Sequence, residues 1–230
     1  MDWNVVHIFF CKMFTLGRGI YRIVTEGERL ECEVQKFTGR RNNNNIESQL
    51  VWQCAPLIAG LRISSLFIIH RRDLRYLYGL LRGSRICYYV LYVTAERVVI
   101  LLYHVQRLTV YLEREEISRF LADRGYPVFR LEDILGTLRQ RYQDYYRRQR
   151  EFPHEMGLLL GYPLEDVKGF IHYKGKHCLY AGYWKVYDDV KGKRELFGMF
   201  GLAREMLAEL LQNGAGIQDI IENYSGNEWT

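Results

Sequence analysis

Cys54 and His154 are the two side chains whose sequence neighbours suit nucleophilic chemistry. Cys54 lies just before Pro56, where a helix is expected to break or restart, and the positive end of a helix dipole stabilises a thiolate. His154 follows Pro153 at the expected start of another helix, where the same dipole favours a neutral imidazole able to take a proton. Brought together by the fold, the pair would act as catalytic nucleophile and base of a thiol-dependent enzyme. The plainer reading makes Cys54 a small buried hydrophobe and His154 a hydrogen-bonding residue at a helix start, because free cysteines are among the most buried residue types.

A second group suits binding. The run from His177 to Tyr187 predicts a strand with Tyr183, Lys185 and Tyr187 on one face and Trp184 and Val186 on the other. A cation between two rings makes a floor for an anionic or planar ligand. Covered by a helix, the same face is ordinary packing with the lysine charge at its edge. Residues 153–170 concentrate glycine, proline, histidine and aromatic residues, so Tyr162 and Lys168 join Tyr183, Lys185 and Tyr187 as candidate ligand-binding residues. His172, His177 and Cys178 do not make a metal site, because neighbours on a strand point to opposite faces. No metal is expected.

Several chemistries fail on spacing. His154-Glu155 begins a metalloprotease-like helix, but Leu158 stands where the second histidine would be needed. Gly175-Lys176 resembles the end of a phosphate loop, yet the spacing from Gly169 is wrong and His177 replaces the metal-binding hydroxyl. Neither a GxSxG elbow nor a GxGxxG turn after a strand occurs. The cofactor, if there is one, is unknown from the chain.

The stretch from Arg139 to Arg150 interleaves arginine with tyrosine in the manner of a nucleic-acid surface. On a helical wheel Tyr142 and Tyr145 extend an apolar stripe, with Arg141 and Arg148 on one flank. Arg139, Arg147 and Arg150 spread over the other flank and the outer face. That pattern favours a solvated rim, and RNA or phosphate binding through these flanks is an alternative to small-molecule or protein binding.

The elements that must position these residues follow from periodicity. The polar string Gly39–Asn45 reads as a linker, so residues 1–45 are expected to be an N-terminal extension or a mis-called start. A helix begins at Ile46, Ile63–Ile69 is a β-rich run, and Leu74, Leu77, Tyr78 and Leu81 mark a helix closed by Gly83. Ile86–Val93 and Arg97–His104 form an antiparallel hairpin. Helices are expected from about Glu113 to Gly125 and from Leu131 to about Arg150, then a short one from Pro153 to Gly161. Another runs from Pro163 to Gly175, and a last one covers about Lys193 to Gln212. Residues 46–212 therefore read as one α+β domain, with helices packed on a small, mostly antiparallel sheet containing a β-hairpin, and residues 213–230 as a polar C-terminal tail.

Three segments carry a resemblance: Cys54-Ala-Pro-Leu-Ile-Ala-Gly-Leu61, Phe152-Pro-His-Glu-Met-Gly through Gly161-Tyr-Pro-Leu-Glu-Asp-Val to Ile171, and Ala181-Gly-Tyr-Trp-Lys-Val-Tyr187. Over about residues 46–212 the chain resembles an uncharacterised family of bacterial proteins, mainly from anaerobic Firmicutes, called domain of unknown function 3793. The resemblance implies a cytoplasmic bacterial protein and no established activity. Similar proteins often carry histidine before the cysteine and lysine after Leu61, where this chain has Gln53 and Arg62.

Composition agrees with that compartment. Of 230 residues 48% are hydrophobic and 26% charged, which excludes disorder, collagen and coiled coil. The apolar stretch Ile86–Val105 has Glu96 and Arg97 at its middle, so no membrane span is expected, and Val5–Phe14 is interrupted by His7 and Lys12, unlike a signal peptide. The 5 cysteines form no CxxC pair, as in a reducing cytoplasm. The net charge of +5 conceals polarity. Residues 62–150 hold 17 Arg, no Lys and 9 acids, whereas residues 151–230 hold 6 Lys and 2 Arg against 12 acids. Oligomeric state cannot be read from this pattern.

Overall fold

The computed structural model describes residues 45–127 and 130–224, so the expected extension before Asn45 and the end of the expected tail lie outside it. The fold is α+β, centred on a three-stranded antiparallel sheet in the order β1–β3–β2. Strand β1 is Ser64–His70, β2 is Cys87–Val93 and β3 is Arg97–Tyr103. The apolar stretch that is long enough to cross a bilayer is thus a hairpin, turned at Thr94, whose Oγ1 accepts from the Arg97 amide at 2.8 Å. No helix among the described residues is long and apolar enough to cross a membrane.

The β1 and β3 strands are buried nearly end to end, because helices cover both faces of the sheet. Side chains alternate along a strand. Leu66, Ile68, Val99 and Leu101 therefore enter one core, and Phe67, Ile69, Val98, Ile100 and Leu102 the other. The first core is closed by α3 (Val105–Leu112), α4 (Glu115–Ala122), α5 (Leu131–Tyr146), α6 (Met156–Leu159) and α7 (Leu164–His172). The second is closed by α1 (Ile46–Ile58), α2 (Leu74–Leu81) and α9 (Ile217–Tyr224). The long helix α8 (Val190–Gln212) serves both, since Phe197 and Phe200 enter the first core and Leu207 the second.

Four local expectations are corrected. The first helix does not break at Pro56 but runs through it to Ile58, capped by the Asn45 side chain on the Glu47 amide at 3.2 Å. Proline removes one helical hydrogen bond. Here Leu50, Cys54, Leu57 and Ile58 are all buried, and that continuous apolar stripe holds the helix together across the gap. Secondly, residues 105–112 form a helix of their own, docked by Leu108 and Leu112. Thirdly, residues 217–224 of the expected polar tail form α9, because Ile217, Ile220 and Ile221 bury one face in the second core.

Fourthly, the expected strand His177–Tyr187 is two short antiparallel strands, β4 (Tyr180–Ala181) and β5 (Lys185–Val186), folded back through residues 182–184. A side chain at Gly182 would run into the Phe197 ring, so glycine is what lets the turn lie on α8. Gly161 and Gly175 do close α6 and α7, with φ of 75° and 72° in the left-handed region.

One buried histidine makes the fold acid-sensitive. His104, at the end of β3, is 6% exposed and its Nε2 lies 3.1 Å from the Leu57 carbonyl oxygen. Burial pushes its pKa below the ordinary value, against the pull of that carbonyl, and burial likewise lowers His154 against Glu155 and Glu151. An unfolded histidine titrates near about 6.5. With lower folded values, these rings contribute their full stability above that pH and lose it as the pH falls toward the folded values. Urea midpoints are expected to hold between pH 8 and 7 and to decline from about pH 6.5 downward, more gently in His104→Gln. A midpoint that rises on acidification to pH 5.5 would contradict this.

Candidate functional site

Cys54 sits inside α1 rather than at its start, fully buried in the second core. Burial pushes its thiol up to about 12, opposed by the Ser65 hydroxyl and the Arg62 charge. His154 precedes α6 on the other side of the sheet, its ring 5.6 Å from Phe152 and 5.2 Å from Phe170. Phe152 and Phe170 belong to the first core, so the sheet stands between the thiol and the imidazole. The two are not brought together as nucleophile and base. Iodoacetamide at pH 7.5 is expected to leave Cys54 unmodified in the folded chain and to modify it in urea; rapid labelling without denaturant would restore a nucleophilic reading.

The hairpin that carries the other candidates is pinned to α7 by one carboxylate. Asp166, 2% exposed, accepts from Trp184 Nε1 at 2.7 Å, from the Tyr187 amide at 2.7 Å and from the Asp188 amide at 3.3 Å. Trp184 then stacks on Tyr162 with ring centroids 4.7 Å apart, and Tyr162 is buried. Lys185 donates to the Gly175 carbonyl at 2.5 Å and Tyr187 Oη donates to the Lys176 carbonyl at 3.1 Å. Lys168 is exposed on α7. Tyr162, Asp166, Val167, Phe170, Trp184 and Lys185 line a shallow depression, open to solvent. It has room for little more than one water molecule, and Asp166 and Lys185 already bond to the protein's own groups.

Tyr183 behaves differently. The turn between β4 and β5 takes it off the face of Lys185 and Tyr187 and sets it against α8, 5.4 Å from Phe197 and 4.9 Å from Phe200. There it meets Arg204, whose Cζ lies 5.2 Å from the Tyr183 ring centroid and 4.9 Å from that of Trp52 on α1. Arg204 Nε and Nη2 are buried and have no hydrogen-bond partner among the described residues. The Gln53 side-chain oxygen, on the next residue after Trp52, is in the same condition. Arg62 closes the group from the loop before β1. Its Cζ lies 5.4 Å from the Tyr162 centroid and 5.9 Å from that of Phe200, and one nitrogen donates to the Leu160 carbonyl at 3.0 Å. Both arginines pull the Tyr183 hydroxyl toward ionisation, but burial is the larger influence and raises its pKa, with Glu205 adding to the rise.

Periodicity singled out neither Arg204 nor Arg62, yet one signal was available. Phe197, Phe200, Ala203 and Leu207 mark the buried stripe of α8, and Arg204, next to Ala203, lies half-buried at its edge, where a charge beside an apolar stripe is the signal. The tyrosines of the basic stretch do extend the core stripe, as Tyr142 is fully buried and Tyr145 packs against the core. Arg139, Arg147, Arg148 and Arg150 are exposed, while Arg141 is ion-paired with Glu155 at 2.6 Å.

The whole is a two-cored α+β domain in which a half-buried arginine beside the core has two buried donors without a partner among the described residues. Residues 50–221 match the family described as Protein of unknown function (DUF3793), and the chain belongs to that family. No curated protein and no solved structure matches it.

Proposed function

We propose that this chain is a cytoplasmic domain that binds a small ligand around Tyr183, between α1, the β4–β5 turn and α8. The observation that carries the reading is Arg204, whose guanidinium lies between two rings with a buried edge that no acceptor among the described residues meets. Buried polar groups in folded proteins are nearly always paired, because an unpaired one forfeits its hydration without recompense. A charge kept in that state weakens the fold, and such local sacrifices concentrate where a ligand completes the bonding.

The stability test follows directly. Arg204→Met keeps the slot filled and the sulfur in contact with both rings while removing the charge. Its urea midpoint is expected to match or exceed that of the parent chain, by up to about 1 kcal/mol in stability. A loss of about 2 kcal/mol or more would make Arg204 a structural residue and remove the reading.

A further inference from the structure

We infer that the ligand of this site is an anion, a carboxylate or a phosphate, gripped side-on by Arg204 with Arg62 as a second positive charge. The inference rests on the ligand-binding reading above and adds the chemical class. Of the guanidinium nitrogens, Nε and Nη2 are the two that are buried without a partner among the described residues. Their N–H bonds run parallel along one edge of the planar fork, at the spacing of two oxygens on a carboxylate or phosphate. A neutral acceptor uses one such donor, whereas a bidentate oxyanion uses both.

The rings support the same conclusion. Trp52 and Tyr183 lie against the guanidinium, which fixes the plane of the fork and leaves recognition to its edge. Arg62 is held by the Leu160 carbonyl and sits over Tyr162 and Phe200, the latter a neighbour of Tyr183. The acidic group that acts on Tyr183 is Glu205, which is exposed and next in sequence to Arg204, so it opposes part of this positive potential from the solvent side. Because both donor nitrogens are covered, an anion reaches them by displacing a ring. Trp52, 43% exposed, is the more solvent-facing of the two rings.

The test uses the full chain at constant ionic strength, titrated calorimetrically with sodium acetate, inorganic phosphate and acetamide as the uncharged isostere. Saturable binding of acetate or phosphate is expected, with the stronger of the two identifying the source, and none for acetamide. Arg204→Lys should weaken it at least tenfold, since an ammonium cannot bind bidentately, Arg204→Met should abolish it, and Arg62→Met should weaken it severalfold. The exposed-rim variant Arg139→Met should leave it unchanged. Tryptophan emission should shift with the same concentration dependence, and Trp52→Phe should remove that shift. Acetamide binding that depends on Arg204 would overturn the anionic class and leave the ligand-binding reading standing. Absence of saturable binding by either anion up to tens of millimolar, or binding undiminished in Arg204→Met, would overturn the inference.

Discussion

Replacing Glu155 by alanine is expected to destabilise the folded chain by about 3 kcal/mol, a large share of the total for a domain of this size. Glu155 is 6% exposed and its Oε1 accepts from Arg141 Nη1 at 2.6 Å and from Tyr126 Oη at 2.9 Å. Arg141 also lies over the Tyr126 ring, 4.4 Å from its centroid, and donates to the Arg124 carbonyl. The triad ties the end of α4, the middle of α5 and the start of α6 together. Removing the carboxylate leaves a part-buried guanidinium and a buried hydroxyl without their acceptor, which is worse than never having placed a pair there. Equilibrium urea unfolding checks this. The exposed pair Arg119–Glu115 is the control, as Glu115→Ala should leave the midpoint unchanged. Equal midpoints for the two variants would show that the Glu155 triad contributes nothing.

The second large effect concerns the hairpin. Asp166→Ala removes the acceptor of three donors at once, the Trp184 indole and the amides of Tyr187 and Asp188. A loss of about 3 kcal/mol is expected, because hydrogen bonds to a charged acceptor are among the stronger ones and the Trp184 indole stays buried without its acceptor. Asp166→Asn should lose less, since an amide oxygen still serves the two backbone groups. Hydrogen exchange at the Tyr187 amide should accelerate in parallel with the loss. If Asp166→Ala is no more damaging than the exposed Lys168→Ala on the same helix, the carboxylate is not what holds the hairpin. The consequence for function is direct. The turn that presents Tyr183 to Arg204 is held from the opposite side by Asp166, so this variant should also weaken anion binding.

The elements were legible in the chain wherever one repeat dominated. The α5 stripe of Leu131, Ile134, Leu135, Leu138 and Tyr142 and the β2–β3 hairpin are as expected, since burial on one side imposes a period of 3.6 or 2 directly on the sequence. The departures arise where a distant contact overrides a local signal. Pro56 suggests a break, but the apolar stripe of α1 continues past it into a core that α2 and α9 complete. The polar residues after Gln212 suggest a tail, but three isoleucines at helical spacing find that same core. A strand was expected at His177–Tyr187 because aromatic residues alternate there. Gly182 and the pull of Asp166 fold it instead.

The candidate site divides in the same way. Residue types and spacing alone were sufficient to propose Tyr183 among the candidate ligand-binding residues, to exclude the phosphate-loop, zinc-protease and dinucleotide patterns, and to expect helices on an antiparallel sheet. Those conclusions depend on local chemistry and on repeats, and both are written along the chain. Which groups meet is another matter. Cys54 and His154 are separated because alternation along β1 and β3 sends their neighbours to opposite cores. Trp52, Arg62, Tyr183 and Arg204 converge because α8 passes from one core to the other. Proximity and desolvation depend on residues far apart in sequence, so they emerge only when the layers have packed.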